Sequence, residues 1–167
     1  MAVDFEGPAP ESLPALKELL GRLLPFAYPD AVYQQVLASA DVSQLAFVDG
    51  ALAGACVCRL EAHPEQAGSG RCYVVAVAVD PSVRGLGLGS FLVQRSMFSA
   101  ACCDGIVEAY LHVPDGEEAT IMFYERACNL QRAETVEGYY KDSPGMEGRP
   151  DAVVMRKPLE TPDPFSE

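Results

Sequence analysis

The segment Arg71–Asp80 constrains the fold of this chain more than any other segment. Between its charged ends it is apolar at every position. Such a strand is typical of the centre of a sheet that is covered on both faces. The Asp80-Pro81 pair ends it, and a glycine-rich stretch follows. We therefore expect a sheet with further elements packed on each side of this strand.

Apolar spacing and turn residues predict the remaining elements. Two helices, a β-hairpin that turns at Asp49-Gly50, and a surface loop precede the central strand. A helix, a strand, a second helix and a final strand pair follow it. The predicted helices cover 12–23, 30–40, 90–101 and 117–127, and the other predicted strands cover 44–48, 52–59, 106–113, 133–140 and 151–156.

The length of 167 residues favours one folded domain. We place this domain at residues 12–158, between a flexible N-terminal lead at 1–11 and a flexible C-terminal tail at 159–167. The stretch 142–150, with two glycines and two prolines, is predicted to be a mobile loop between the last two strands.

Charge and hydropathy exclude several classes of protein. Lys and Arg total 12 while Asp and Glu total 24, so the net charge is −12. A protein that binds nucleic acid normally carries the opposite sign, so no direct nucleic-acid partner is expected. Apolar stretches are too short for a bilayer span, and the acidic N-terminus is unlike a targeting peptide. A soluble, cytoplasmic protein without a membrane partner is therefore expected.

The six cysteines do not form a recognisable metal site. Their positions are 56, 58, 72, 102, 103 and 128, which gives no C-x-x-C pair, and there are only two histidines. We therefore expect no bound metal. Most of the cysteines lie in apolar runs, which favours buried thiols in a reducing compartment, with disulfides as the alternative.

The glycine-rich stretch Arg84–Gly89 lies between the central strand and a helix. Free amides at a helix start bind anions, and Arg84 adds a positive charge. The stretch lacks the lysine of a Walker loop and the glycine spacing of a dinucleotide fingerprint. What remains is Arg-x-x-Gly-x-Gly, formed by Arg84, Gly87 and Gly89. The alternative is a tight turn without a ligand.

This pattern resembles the acetyl-coenzyme A loop of the GNAT acetyltransferase superfamily. The pair Phe123-Tyr124 and the order of the predicted elements are also similar to that superfamily. Other runs resemble the catalytic subunits of NatE-type N-terminal α-acetyltransferases. These runs are Leu24–Tyr28, Gly54–Arg59, Tyr110–Val113 and Tyr139–Lys141. The resemblance implies an α/β (α+β) GNAT fold, with a mixed, mostly antiparallel sheet and helices on both faces.

The resemblance further implies an acyltransferase that moves acetyl from acetyl-CoA, its cosubstrate, to the α-amine of protein N-termini. A backbone amide near Val77 is then the oxyanion donor. Glu117 stands where the family carries an asparagine that contacts the coenzyme, and a carboxylate cannot donate that hydrogen bond. A larger N-terminal acetyltransferase complex at the ribosome is the implied partner. The implied coenzyme-binding residues are Val77, Val79, Arg84, Gly85, Gly87, Gly89, Ser90 and Tyr124.

By resemblance, the catalytic residues are Tyr73, His112 and Tyr124. An α-amine with a pKa of about 7.7–8.0 is partly neutral in the cell, so a weak base such as His112 is sufficient. Tyr73 relays a proton or holds a water, and Tyr124 hydrogen-bonds the leaving thiolate. The alternatives are a plain strand histidine at 112 and tyrosines packed in the core at 73 and 124.

An apolar and aromatic wall is predicted for the acceptor peptide, which suits methionine followed by an apolar residue. For Leu24 the alternative is a position in the core. Two other functions remain open: a lysine or small-molecule amine acetyltransferase of the same fold, and an inactive CoA-binding scaffold subunit. The predicted wall residues are Leu24, Pro25, Phe26, Tyr28, Tyr139 and Tyr140.

Overall fold

The computed structural model describes residues 1–25 and 27–162. Its helices are α1 (Leu13–Leu23), α2 (Asp30–Ala38), α3 (Leu88–Ala101) and α4 (Glu118–Arg126). Its strands are β1 (Val3–Glu6), β2 (Gln44–Val48), β3 (Ala51–Ala62), β4 (Gly70–Val79), β5 (Ile106–Pro114), β6 (Gln131–Val136) and β7 (Ala152–Pro158). Single 3-10 turns occur at Pro10–Ser12, Ala40–Val42 and Pro81–Val83.

The described strands form one seven-stranded sheet in the order β1-β2-β3-β4-β5-β7-β6. Neighbouring strands are antiparallel, except that β4 and β5 are parallel. Helices α3 and α4 bury one face, and α1 and α2 bury the other. The prediction of a mixed, mostly antiparallel sheet with helices on both faces is therefore confirmed. Within 1–25 and 27–162, no helix has the length and apolar character needed to cross a bilayer.

A β-bulge in β4 changes which face of the sheet its side chains occupy. Val74 pairs with Cys58 and Ala76 pairs with Val57, so Val75 is an extra residue without its own partner on β3. One extra residue reverses the alternation of a strand. Accordingly, Val74 before the bulge and Val77 after it both pack in the core under α3.

The central strands β4 and β5 separate partway along their length. Their pairing runs from Gly70 with Ile106 to Tyr73 with Tyr110. Beyond that point the structure as described shows no pairing between 74–79 and 111–114, although β5 stays paired with β7 as far as Pro114. A gap therefore opens in the middle of the sheet, and backbone groups of β4 along it are available to a ligand.

The N-terminal lead differs from the prediction. Residues 1–11 were expected to be flexible, but Val3–Glu6 forms β1 and pairs with β2. The ring of Phe5 packs against Phe91 of α3 with centroids 5.0 Å apart. A four-residue edge strand that carries two acids gives too short a pattern to be recognised from sequence. Of the predicted C-terminal tail, residues 163–167 lie outside the described residues, so its flexibility stays a prediction.

The end of the chain also differs from the predicted strand pair. Strand β6 ends at Val136, so Tyr139 and Tyr140 lie in turns and not in a strand. The following loop is packed against the protein: the Tyr140 amide donates to the Pro150 carbonyl at 2.7 Å, and Met146 is buried. Gly145 has φ +86°, and a Cβ there would collide with the Pro25 carbonyl. Two loops distant in sequence thus meet closely.

Candidate active site

Two cavities lie on opposite faces of β4, one on each side of the bulge. The first, on the α1 and α2 face, has a volume of about 410 Å³, and we call it the tyrosine cavity. The second, on the α3 and α4 face, has a volume of about 740 Å³, and we call it the glycine-loop cavity. Tyr73 and Val75 line the first, while Val77 and Val79 line the second. The bulge therefore lets one strand contribute to both.

The glycine loop starts from a fixed point at the end of β4. The Asp80 carboxylate accepts hydrogen bonds from the Ser82 amide at 2.9 Å and the Ser82 hydroxyl at 2.7 Å, and Arg22 donates at 2.8 Å. These donors favour the ionised form and lower the pKa of Asp80 to about 2. The strand end is therefore tied both to its own turn and to α1.

The loop itself has the geometry of an anion site. Gly85 and Gly87 have φ values of +86° and +75°, and Gly87 is the N-cap of α3. Arg84 Nε donates to the Val79 carbonyl at 3.0 Å, and the Ser90 hydroxyl donates to the Gly87 carbonyl at 3.1 Å. The first amides of α3 have no partner within the helix, and its dipole adds positive potential there. The loop can therefore hold a phosphate group.

All eight residues that the resemblance assigns to the coenzyme line the glycine-loop cavity. The coenzyme-binding residues predicted from the sequence do not include the other lining residues of α4 and its C-cap. Ala119, Thr120, Phe123 and Ala127 recur there at helical spacing together with Tyr124. That spacing, which places them on one face of the helix, is the signal that could have found them.

Tyr124 packs in the core and also borders the glycine-loop cavity. The two interpretations of this residue, a core position and a role at the coenzyme, are therefore compatible. Its side chain is 9% exposed and packs in the core under α3, yet it borders the glycine-loop cavity. Burial raises the pKa of its hydroxyl, so it stays protonated and can act as a hydrogen-bond donor. Burial likewise raises the pKa of the nearby Cys128 thiol to about 12.

Tyr73 and His112 meet where β4 and β5 begin to separate. The Tyr73 hydroxyl lies 2.9 Å from His112 Nδ1 and 3.2 Å from the Tyr139 hydroxyl. The Tyr139 ring stacks on the imidazole, with centroids 3.9 Å apart and planes 11° apart. Residues from three separate parts of the chain thus form one hydrogen-bonded cluster at the tyrosine cavity.

The protonation states in this cluster follow from burial. Burial lowers the pKa of His112 to about 4, so the imidazole is neutral at cellular pH. Burial also raises the pKa of Tyr73, so its hydroxyl keeps its proton. A hydroxyl that donates to Nδ1 can accept a proton from a third group while it passes its own to the imidazole. The pair is therefore suited to removing a proton from a ligand.

Arg59, to which the sequence analysis gave no role, supports the floor of the tyrosine cavity. Its guanidinium carbon lies 4.8 Å from the centre of the Tyr73 ring. The guanidinium donates to Gln35 of α2 at 3.2 Å and pairs with Glu61 at 3.5 Å. These contacts fix the cation against the face of Tyr73. Arg59 is the last residue of the run Gly54–Arg59, on which the family resemblance partly rests, and that run could have indicated a role for it.

Three of the residues predicted to form the wall for the acceptor peptide lie at the tyrosine cavity. Tyr28, Tyr139 and Tyr140 line the tyrosine cavity, and the Tyr28 hydroxyl donates to the carbonyl of Val75 in the bulge at 3.1 Å. Leu24 instead packs against the core under α1, which is the alternative that the sequence left open.

Pro25, another predicted wall residue, does not line this cavity in the described structure. It is exposed, and its carbonyl lies beside Gly145. Phe26 lies outside the described residues. The wall has other members that were not predicted, namely Val32 of α2 and the segment Asp142–Pro144. Only the packing of the last loop brings that segment to the cavity.

The cysteines and carboxylates do not form a metal site in the described residues, where no group of three or more metal-ligating side chains occurs. All six cysteines are free thiols, and four of them are buried.

Comparison with known proteins gives consistent matches. The model of the Acetyltransferase (GNAT) family matches residues 13–130. N-alpha-acetyltransferase 50 of Danio rerio is 29% identical over 154 residues, which cover 92% of this chain and 86% of that protein. A probable N-acetyltransferase, san, of Drosophila melanogaster is 26% identical over 165 residues, which cover 99% of this chain and 85% of that protein.

The fold is also similar to a solved structure of Arabidopsis thaliana Naa50 in complex with the bisubstrate analogue CoA-Ac-MVNAL. The TM-score is 0.82 at 30% sequence identity, and the match covers 94% of this chain and 99% of that one.

Proposed function

This chain belongs to the acetyltransferase (GNAT) family, and from that premise we propose that it acetylates the α-amine of protein N-termini that begin with methionine followed by an apolar residue. The chain is an acetyl-CoA-dependent N-acetyltransferase. The observation that carries the proposal is the Tyr73, His112 and Tyr139 cluster, which lies in the tyrosine cavity at the start of the gap in the sheet.

The glycine-loop cavity is the proposed coenzyme site. The pyrophosphate would lie on the first amides of α3, with Arg84 beside them. Bound acetyl-CoA supplies the thioester whose acetyl group is transferred. A backbone amide near Val77, along the gap, is the proposed donor to the oxyanion. Tyr124, which borders this cavity, is the proposed hydrogen-bond donor to the departing thiolate.

Glu117 does not take over the coenzyme contact that the resemblance assigns to an asparagine at this position. It is the N-cap of α4, and its carboxylate forms an ion pair with Arg149 from the last loop. An acid that is already paired neither donates to the coenzyme nor leaves an unbalanced negative charge beside it. We therefore propose that coenzyme binding relies on the glycine loop without this contact.

The tyrosine cavity is the proposed acceptor site. An α-amine with a pKa of about 7.7–8.0 is partly neutral at cellular pH. As the amine attacks the acetyl carbon, the neutral His112, through the Tyr73 hydroxyl, takes up the proton that the amine releases. The Tyr139 ring holds the imidazole in place by stacking on it.

The composition of the wall supports the proposed preference for methionine. Tyr28, Tyr140, Val32 and Pro144 contribute aromatic and aliphatic groups to a lining that also carries polar side chains. Burying a methionine side chain there should contribute about 1.5–3 kcal/mol, whereas an acidic first residue would be desolvated without a partner. The analogue bound to the Arabidopsis thaliana relative carries a peptide that begins with Met-Val.

The cellular setting is also part of the proposal. We propose a NatE-type catalytic subunit in the cytoplasm that works with a larger N-terminal acetyltransferase complex at the ribosome. Six free thiols are typical of a reducing compartment. An inactive CoA-binding scaffold is disfavoured, because binding alone would not require a neutral imidazole and a hydroxyl within hydrogen-bond distance of each other.

A peptide panel tests the function. Peptides varied at the first two positions are incubated with acetyl-CoA, and acetylation is located by mass spectrometry. A matched peptide with a blocked N-terminus and one internal lysine reports side-chain acetylation. We expect Met-Leu and Met-Val peptides to react fastest. Faster acetylation of the internal lysine, or of peptides that begin with Ser, Ala or two acids, would contradict the proposal.

A further inference from the structure

The loop between β6 and β7 forms part of the acceptor wall, and we call its residues 141–150 the strap. Three contacts hold it: the packing of Gly145 on the Pro25 carbonyl, the burial of Met146 beside Tyr140, and the ion pair of Arg149 with Glu117. The strap is thereby attached to two other parts of the protein. Its first part, Asp142–Pro144, lines the tyrosine cavity.

Asp142 is an unmatched charge in that lining. Within the described structure its carboxylate has no ion-pair or hydrogen-bond partner. The other charged lining residue, Arg59, pairs at 3.5 Å with Glu61, a carboxylate that it shares with Arg71. Lys141 is next in sequence, but its side chain turns back over Gly138, and it is not part of the lining.

Three carboxylates that lie outside the lining are paired with arginines. Glu61 accepts from Arg71 at 2.8 Å, Glu108 pairs with Arg156 at 3.3 Å, and Glu117 pairs with Arg149. Asp142 is therefore the carboxylate that the described lining of the tyrosine cavity offers to an incoming chain, and it lies on a wall that is held in place.

We propose that Asp142 is a specificity-determining residue that favours acceptor chains with a lysine or arginine among their second to fourth residues. The inference rests on the proposed function and refines its substrate class. An extended acceptor advances about 3.3–3.6 Å per residue. A long cationic side chain at its second to fourth residue can therefore reach along the wall of the tyrosine cavity. A cation there would pair with a carboxylate that no described group of the protein neutralises.

The expected effect has the size of a partly exposed ion pair. Such pairs change affinity by roughly two- to five-fold, and salt screens them. The overall charge of −12 attracts every cationic peptide to some extent. A control that removes one charge from the strap outside the cavity separates the two effects. Glu147 is exposed, lies on the strap and is not part of the lining, so Glu147→Gln serves this purpose.

The experiment compares kcat/KM for Met-Leu peptides that carry a single Lys, Gln or Glu at position 3 or 4, and for Met-Lys, Met-Gln and Met-Glu peptides. It is run at low salt and at about 0.5 M salt with the parent chain, Asp142→Asn, Asp142→Lys and Glu147→Gln. We expect a two- to five-fold Lys-over-Glu ratio at one position or more, reduced by salt. Asp142→Asn should abolish the ratio, Asp142→Lys should invert it, and Glu147→Gln should keep it.

The outcomes separate the inference from the function on which it rests. Equal rates for Lys and Glu peptides, or a ratio that survives in Asp142→Asn, overturn the inference while the Gln peptides still report α-amine acetylation. A ratio lost equally in Glu147→Gln also overturns it, since the effect is then one of net charge. Failure of every peptide to gain an α-acetyl group overturns the proposed function and the inference with it. Thermal unfolding of each variant confirms that the folded protein is compared.

Discussion

The Tyr73 hydroxyl and His112 Nδ1 lie 2.9 Å apart where two parallel strands separate: Tyr73 is the last residue of β4 paired with β5, and His112 lies two residues beyond its partner Tyr110. Parallel pairing fixes both backbones up to this point, and the gap beyond it gives a ligand access to the pair. The hydroxyl thus faces a neutral imidazole on one side and the cavity on the other.

Removing either member of the pair should lower the chemical rate more than coenzyme affinity. Tyr73→Phe deletes the hydroxyl, and His112→Gln deletes the proton acceptor; general acid–base groups typically contribute about 10²–10⁴-fold. Single-turnover acetylation of a Met-Leu peptide at saturating acetyl-CoA measures the effect. Tyr33→Phe, at a buried tyrosine of α2, is the matched control. Near-parental rates in both variants would mean that the proton leaves by another path.

The pH dependence of kcat/KM should report the pKa of the substrate α-amine and not that of His112. Because burial lowers the pKa of His112 to about 4, the imidazole remains an acceptor throughout pH 5–8. The rise of kcat/KM with pH should then follow the peptide α-amine, with an inflection at about 7.7–8.0. An NMR titration of the His112 ring, assigned with His112→Gln, checks the same point directly. An inflection near 6.5 that disappears in His112→Gln would contradict this assignment.

A side chain at Gly87 should weaken coenzyme binding. Gly87 has φ +75° and a Cβ there would stand in open space at the glycine-loop cavity, so valine adds bulk where a phosphate would approach the backbone. We expect Gly87→Val to raise the Kd for acetyl-CoA by about tenfold or more, which is about 1.4 kcal/mol. Calorimetry measures it.

The control for Gly87→Val is Gly68→Val, since Gly68 has φ +82° and equally open surroundings but lies in a surface loop. Both variants should lose stability through the strained backbone, by about 1–3 kcal/mol. Only the variant at position 87 should bind acetyl-CoA more weakly. An equal Kd in the two variants would remove the phosphate role of the loop.

Displacing the strap should impair peptide binding and leave the coenzyme unaffected. A Cβ at Gly145 collides with the Pro25 carbonyl, so Gly145→Ala forces the strap away from the acceptor wall. Gly148→Ala has a similar φ of +85° and meets nothing within 4 Å, which makes it the matched control. We expect a several-fold increase in peptide KM for the first variant only, at an unchanged Kd for acetyl-CoA. Equal KM values would show that the strap is not part of the acceptor wall.

Local chemistry explains which parts of the fold could be predicted. The hairpin at Asp49-Gly50 is confirmed, with φ values of +49° and +84° that few other residue pairs adopt readily. The glycine loop after the central strand is likewise present, because its left-handed positions need glycine. In both places a short run of residues determines the backbone by itself.

The parts that could not be predicted depend on contacts distant in sequence. In β4 every side chain between the charged ends is apolar, so the run itself does not reveal the bulge at Val75 that reverses its faces. The stacking of Tyr139 on His112 requires the turn after β6 to fold back over the sheet. The resemblance placed these two residues in one site, but only the packing of the loop shows how they touch.

Because Val75 adds one residue to β4, the thioester and the amine can approach the same point of the sheet through separate entrances. On the proposed assignment of the two cavities, neither ligand has to leave before the other enters, so a ternary complex can form and acetyl can pass directly, without a covalent enzyme intermediate. A one-residue deletion at the bulge would turn Val77 and Val79 toward the acceptor entrance and close this arrangement, although it would remove no group that takes part in the reaction.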